Sequence, residues 1–534
     1  MIEFLLPVIA YAEVHYKWRF FPSRIYMPYP EIIADVPFRL EPDTALPVLC
    51  IIKDALRFPV RLEKIEIEIS VTGGNSKTRR FDFGNILIEE RFWNRTLSLN
   101  LPGNSAGVVS VSVKFSLSNE TDGKFEVVND NLKRLSPLKL SVLIPERTLP
   151  SLPGWSYGDF HTHSEFTDDK VEFGAPIRSS SIISKSIGLD FFVVADHSYN
   201  LDNSIDFPYE NDANLPRWHK SREEMKEAGT KEGALPVPAE EVSCGNGKGE
   251  NVHLLVVDPP VFIPGNGDSE DDYPDTKPTL SVAEVLDLMG KSAVAIAAHP
   301  LEIPPFGQRL LFNRGYWAKE DLLDDRIIGL QILNGLPDES FRRGYEVWID
   351  LILEGKRKII LAGNDAHGNF NHFRQIKIPF LSMHKHRNQL FGQVRTALKL
   401  DGGVELNTLL ESLKKGRAQI TTGPLSEISL MAENNEVNEI GDEFSLDKGK
   451  LSVTAVSTEE FGKLKRIVII QGDLSNRKES EVHKYTDFTD GYRFEDALDI
   501  SQLNPGYIRM EVYTETADKE FFSITNPIWL NGGG

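Results

Sequence analysis

Apolar and polar side chains alternate with period two over residues 61–70, 96–101 and 109–117, and turn-forming stretches at 72–75, 102–104 and 119–123 separate these runs. Such alternation buries one face of a strand and wets the other. Residues 1–150 therefore read as short antiparallel strands at regular turn spacing, the pattern of an immunoglobulin-like β domain. The rhythm changes after the stiff segment Leu149-Pro150-Ser151-Leu152-Pro153-Gly154. Continuous apolar runs at 191–194, 293–298 and 359–362 now alternate with helical patterns at 180–188, 218–228, 281–290 and 340–354. The third of these helices opens on Ser281, carries the capping-box acid Glu284 and stops at Gly290. Runs without polar interruption suit strands covered on both faces, and their alternation with helices predicts a parallel sheet closed into a barrel. The Gly/Asp/Pro-rich stretch 262–278 reads as a surface loop. Period-two strands return at 450–456, 466–470 and 507–513, giving a second, smaller β domain over 421–534.

The chemistry lies where the central runs stop. In Asp159-Phe160-His161-Thr162-His163, residues two apart on a strand share a face, so His161 and His163 point the same way. The run 191–194 leads into Ala195-Asp196-His197, the run 293–298 into His299-Pro300, and the run 359–362 into Asn364-Asp365-Ala366-His367. Glu241 follows Val237-Pro238-Ala239-Glu240, and Asp168 stands five residues after His163. His253 breaks the pattern, since it begins its apolar run instead of ending it. Six of the twelve histidines fall in these stretches. Imidazoles and carboxylates gathered at strand ends point to a divalent-metal site at one end of a sheet.

Composition narrows the class. A chain of 534 residues should divide into two to four domains. A net charge of −20, with no basic patch, excludes a nucleic-acid footprint. Two distant cysteines, Cys50 and Cys244, cannot build a disulfide framework. Together with the lack of a membrane-length apolar run, they suit a cytoplasmic protein acting on a small molecule. Residues 4–12 are apolar but have no basic segment before them, so they read as a buried first strand, with secretion as the alternative.

Taken in order, the motifs at 159–168, 195–197, 241–243, 253–255, 298–300 and 364–367 resemble those of the PHP (polymerase and histidinol phosphatase) superfamily of metal-dependent hydrolases, across residues 155–420. The segments 417–424 and 523–529 look like signatures of its carbaryl-hydrolase-like branch. The resemblance implies an α/β fold, a distorted (β/α)7 TIM-like barrel between N-terminal and C-terminal β-sandwich-like domains. It implies two or three divalent ions (Zn, Mn or Fe) on His161, His163, Asp168, His197, Glu241, His253, His299, Asp365 and His367. Some members have histidine where this chain has Asp168, so two ions could dominate. The expected activity is a phosphoesterase acting on small phosphorylated molecules through a water activated between the metals. Hydrolysis of a carbamate, ester or amide at the same metals is the alternative. An amidohydrolase and a catalytically inactive metal-binding scaffold are further readings. Glu241, as bridging carboxylate, and His299 are the expected catalytic groups, with Arg374 as a phosphate contact and His372 beside it. Asp159 and Asp196 are expected either to accept from ligand imidazoles or to cap backbone N–H groups. Lys248, in a glycine-rich loop that is not a Walker A motif, reads as a substrate contact or solvated surface charge, and His219, beside Trp218, as a proton donor to a leaving group or a packed core or surface side chain.

Overall fold

Strands dominate the computed structural model, which describes residues 29–531 apart from 72–75, 102–105, 132–138, 168–173, 206–209, 230–232, 269–274, 305–308, 311, 378–381, 433–435, 446–448 and 501–503. The expected first strand at 4–12 and the expected ligand Asp168 lie outside the described residues.

The first part of the chain forms two antiparallel sheets. One holds Glu31–Asp35, Leu46–Lys53 and Phe92–Leu99. The other holds Val60–Val71, Ser76–Ile88, Gly107–Asn119, Gly123–Val128 and Leu140–Ile144. Alternation along Val60–Val71 does what the sequence requires: Ile65, Ile67 and Ile69 are buried, while Glu66 and Glu68 face the wetter side. These isoleucines join Cys50, Trp93, Val111 and Phe115 in one core shared by both sheets.

From Trp155 the chain builds a third, curled sheet with a path of thirteen strands. The path runs Ile359–Gly363, Ile327–Asn334, Val294–Ala298, Asn251–Val257, Leu235–Gly245, Phe191–Val194, Trp155–His163, Arg395–Lys399, Ala418–Thr421, Glu520–Thr525, Gly506–Glu515, Lys463–Asp473 and Lys478–Tyr485. This overturns the expected α/β class and its distorted (β/α)7 TIM-like barrel, and with it the barrel implied for a PHP domain. Among the described residues strand accounts for 47% and helix for 15%. Leu235–Gly245 and Asn251–Val257 form an antiparallel hairpin across a short turn, with no helix between them. The edge of Trp155–His163 that a barrel would close upon carries Arg395–Lys399 antiparallel along its first half, with Thr396 opposite Gly158. Among the described strands, the two-residue Ala366–His367 is the one that pairs with its end. The sheet thus continues into the C-terminal third of the chain. A buried apolar run ending in a polar group reads the same in either arrangement, because burial on both faces sets the pattern and closure does not.

Helices cover parts of this sheet. Ile177–Ser186, Pro216–Gly229, Val282–Leu288 and Glu339–Leu353 form where the sequence predicts helices. Ser281 and Glu284 make the capping box at the start of the third. Glu339–Leu353 is capped by Asp338, which accepts from Ser340 N and Phe341 N. Its Trp348, Leu351 and Ile352 enter the same core as Leu330, Ile332 and Ile360 of the sheet. The N-terminal sheets are tied on by Arg39. Its fully buried guanidinium pairs with Glu41 and Glu460 at 2.9 Å each and donates to Ile187 O.

Candidate metal centre

Strand Trp155–His163 sets His161 and His163 on one face with ring centroids 5.1 Å apart. Glu241, on strand Leu235–Gly245, is fully buried facing them, and the cluster is arranged around its two oxygens. Glu241 Oε2 lies 3.3 Å from His161 Nε2, 3.4 Å from His163 Nε2 and 3.1 Å from His197 Nδ1. Glu241 Oε1 lies 2.5 Å from His253 Nδ1 and 3.2 Å from His299 Nε2. Asp365 closes the other side, with Oδ1 2.9 Å from His163 Nε2 and 3.5 Å from His161 Nε2. His367 stacks on His163 at 4.2 Å. Eight of the nine expected ligands are brought together and buried; Asp168, the ninth, is not described.

His253 joins them because its strand runs antiparallel to Leu235–Gly245, with His253 opposite Ser243. The start of Asn251–Val257 therefore lies at the same end of the sheet as the ends of its neighbours.

The backbone is strained where two of these side chains enter. His299 has φ +26° and Asp365 φ +51°, left-handed values that a non-glycine residue holds at a cost of about 1–3 kcal/mol unless its surroundings impose them. Asp365 N donates to His161 O at 2.8 Å, which imposes one of them. Gly363 permits this approach, since a Cβ there would stand 2.6 Å from His161 Cβ. Asp159 fixes the same corner: it accepts from His161 N, Asn364 N, Asn364 Nδ2 and Gly392 N at 2.8–3.2 Å. Asp196 accepts from Ser164 N and Oγ and from Thr167 Oγ1 at 2.6–2.8 Å. Neither carboxylate meets a ring nitrogen directly. Asp159 caps backbone, and Asp196 reaches His163 through Thr167 Oγ1, 3.1 Å from His163 Nδ1.

The residues that do hold the imidazoles were not picked out from sequence. Gln331 Oε1 accepts from His161 Nδ1 at 2.8 Å, Asp268 Oδ2 lies 2.8 Å from His253 Nε2, and Glu302 Oε2 lies 3.1 Å from His299 Nδ1. Gln331 had left a trace, as a lone amide inside an otherwise apolar strand, Ile327–Asn334. Asp268 sits in the stretch read as a surface loop. That reading fails locally: Ile263 and Asp268 are buried, and Asp268 also pairs with Arg314 at 2.5 Å.

Does this pocket suit cations? His161 Nε2, both ring nitrogens of His197 and Glu241 Oε2 are buried with no hydrogen-bond partner among the described residues. Each such atom costs about 1–3 kcal/mol if left unpaired. Three overlapping groups have ligand atoms within 4.8 Å of one another: His163/His197/His367, His161/His163/Glu241/Asp365 and His197/Glu241/His253. Imidazole with carboxylate suits Zn, Mn or Fe. Protonation divides the cluster: His161 and His253 must give up a proton to a cation, whereas His197 and His367 are already neutral. Burial opposes charge on Glu241, yet His253, His161 and His197 hold its carboxyl well below the usual range. Burial also opposes charge on His161 and His253, but Glu241 with Asp365, and Glu241 with Asp268, raise them to about 10. Burial keeps His197 well below its ordinary value, and burial with neighbouring His163 takes His367 down to about 3, so both are neutral.

The softer candidates fall elsewhere. Arg374 belongs to strand Phe373–Lys377, paired with Ser382–His386, and its side chain lies outside the described residues. His372 is buried, with Nε2 3.1 Å from Lys139 O in the N-terminal part. Lys248 and His219 are exposed. A cavity of about 570 Å³ opens beside His299, with Glu302, Asn334 and Asp338 in its wall.

No family model matches the sequence, and no curated protein matches it. Among solved structures, a protein described as a beta-galactosidase from Bacteroides fragilis shares 11% identity over 95% of this chain and 74% of its own, with a TM-score of 0.21. A beta-glucuronidase from Bacteroides uniformis shares 7% over 94% of this chain and 61% of its own, with a TM-score of 0.18. A beta-glucuronidase from Parabacteroides merdae shares 10% over 95% of this chain and 66% of its own, with a TM-score of 0.17. The chain thus spans less than two thirds of the two glucuronidases, and likeness at this level decides neither fold nor activity. No helix among the described residues is long and apolar enough to cross a membrane.

Proposed function

We propose that this chain is a metal-dependent hydrolase that cleaves phosphoesters of small molecules. One observation carries the reading: buried imidazoles and carboxylates converge from five separate segments, and among them ring nitrogens of His161 and His197 and Oε2 of Glu241 have no hydrogen-bond partner among the described residues. His161, His163, Glu241 and Asp365 would hold one divalent ion, and His197, Glu241 and His253, or His163, His197 and His367, another. Such ions, when bound, acidify a water and stabilise the oxygens that gain charge. The chain's own part is to keep the site dry and its donors aimed. Gln331 fixes which nitrogen of His161 faces inward, Thr167 does so for His163, and Asp268 for His253. His299 lines the open cavity and turns its Nε2 to Glu241 in the cluster, so it would link an entering substrate to the metals. The order of the motifs, which resembles that of the PHP superfamily, supports metal use without requiring that family's barrel.

Hydrolysis of a carbamate, ester or amide at the same centre is a second reading, favoured by where the cations are. Arg314 is engaged by Asp268, and Arg343 lies over the Tyr316 ring at 4.9 Å, so neither is committed to a phosphoryl group. Purified protein should retain stoichiometric Zn, Mn or Fe. It should turn over an aryl phosphate or the matching aryl carbamate, and His161→Ala should abolish that turnover. Protein that binds no divalent metal and cleaves neither ester would end the hydrolase reading.

A further inference from the structure

Tyr316 is pinned by its neighbours to the segments that carry two ligands of the cluster. Gly315 N donates at 3.0 Å to the carbonyl of Asn251, two residues before His253, and Trp317 N donates at 3.3 Å to the carbonyl of Pro300, which follows His299. The Tyr316 carbonyl accepts from Asn246 Nδ2 at 2.6 Å. Two arginines converge on the ring held in this way. The guanidinium carbon of half-buried Arg343 lies 4.9 Å from the ring centre, and that of exposed Arg309 lies 5.9 Å from it. No other ring among the described residues gathers two different cations. Arg343 Nη1 also reaches Leu301 O at 3.5 Å. Leu301 lines the 570 Å³ cavity beside His299, and so does Gly344, the next residue after Arg343 in helix Glu339–Leu353. The pair therefore stands at the rim of that cavity.

Both charges lack a counter-charge. Neither arginine has a carboxylate oxygen within 4.0 Å among the described residues. The nearby acids are engaged elsewhere: Glu339 and Glu346 hold Arg342, Asp338 caps the helix, and Glu302 lies against the His299 ring. A guanidinium laid on an aromatic ring keeps its N–H fork for a carboxylate or phosphate, and two such groups on one ring repel each other until an anion joins them. The chain as a whole carries a net charge of −20, which opposes the approach of an anionic ligand, so unpaired cations at a cavity mouth act against the general field. Building on the hydrolase reading, we infer that Arg309 and Arg343 bind a second anionic group of the substrate, a carboxylate or phosphate remote from the bond that is cleaved. Neither arginine makes a hydrogen bond or ion pair with a ligand of the cluster, so the group they hold is not the one that lies on the metals.

Phosphonoalkanoates with six, eight and ten carbons, and the matching carboxamides, test this by calorimetric titration of the metal-loaded full chain. Their C–P bond resists hydrolysis, and the flexible chains let the phosphonate lie on the metals while the far end searches the rim. At the best length the carboxylate should bind about tenfold more tightly than its carboxamide, the worth of one hydrogen bond to a charged partner. Arg343→Met and Arg309→Met should each reduce that advantage to about threefold or less, and the double variant should erase it. Arg342→Met removes an equal charge one residue away and should leave the advantage in place. Equal binding of acid and amide at every length, an advantage that survives the double substitution, or an equal loss in Arg342→Met would overturn the proposal. Affinity shared by acid and amide and lost in His161→Ala belongs to the metals, whereas the difference between them belongs to the rim. Equal binding would thus remove the rim alone. A carboxylate preference without turnover of any ester would remove the hydrolase reading and leave the rim, and no binding of any phosphonate at millimolar concentration would overturn the phosphoesterase reading and the rim together.

Discussion

Gln331→Leu tests whether the polar neighbours of the cluster set its metal affinity. Gln331 is fully buried, and its Oε1 is the acceptor for His161 Nδ1–H. With leucine in its place that N–H has no acceptor in a site closed to water, a penalty of about 1–3 kcal/mol, and the ring is free to turn its Nε2 away from Glu241 and Asp365. Loss of an orienting partner behind a ligand histidine typically weakens metal binding about 10–100-fold, equivalent to about 1.4–2.7 kcal/mol. Leucine is of similar size and apolar, so the sheet between Ile327–Asn334 and its neighbours should keep its packing. The assay is metal titration against a competing chelator at fixed pH, with a thermal melt of the metal-free protein beside it. Gln331→Glu retains an acceptor at the same place and should bind metal within a few fold of the parent. If the leucine variant binds metal within threefold of the parent while His161→Ala loses it, then His161 is oriented by something other than Gln331.

Other outcomes follow from the same geometry. Removing the metal should lower the melting temperature, because ions that bind only the folded chain at a thousandfold excess over their dissociation constant contribute about 4 kcal/mol; an unchanged melt in excess chelator would contradict this. The metal-free chain should lose stability as pH rises. His161 and His253 have folded values near 10 against an ordinary 6.5, so their contribution is complete below about 6.5 and disappears on passing through about 10. Metal binding should release protons over that same range, measurable as a buffer-dependent heat in calorimetry. Arg509→Met should cost about 3–5 kcal/mol in denaturant unfolding, because it leaves Glu479, 2.6 Å away, and Glu511 without their buried cation. It should not change metal content, since Arg509 touches the helix Glu339–Leu353 through Tyr345 and not the cluster.

The sequence shows most of the cluster and misjudges its frame. His197, Glu241, His299, Asp365 and His367 stand out because each follows an apolar run, and a buried run delivers whatever comes next to one end of its sheet; His161 and His163 stand out because residues two apart share a strand face. Gln331, Asp268 and Glu302 do not stand out, because a single polar residue carries no period. Their role depends on which imidazole lies opposite, a contact between segments as far apart as 170 residues for Gln331 and His161. Closure of the sheet was illegible for another reason. The partner of Trp155–His163 along its outer edge is Arg395–Lys399, a short run with polar ends that the apolar pattern alone does not distinguish from a connecting segment.

The one discordant residue in the sequence pattern, His253, carried information about that frame. In a barrel whose strands all run one way, a ligand at the start of a strand would lie at the opposite end from the ligands that follow the other strands. Strand length makes the conflict quantitative: across the seven residues of Asn251–Val257, at about 3.3 Å each, the two ends are roughly 20 Å apart. His253 Nδ1 nevertheless lies 2.5 Å from Glu241 Oε1. Both facts hold only if its strand is reversed, and a five-residue connection from Gly245 to Asn251 is too short for the crossover that a parallel neighbour needs. The hairpin and the site therefore require each other: a helix-length insertion between Gly245 and Asn251 that turned Asn251–Val257 parallel would carry His253 away from Glu241 and cost the second metal group its only contribution from that strand.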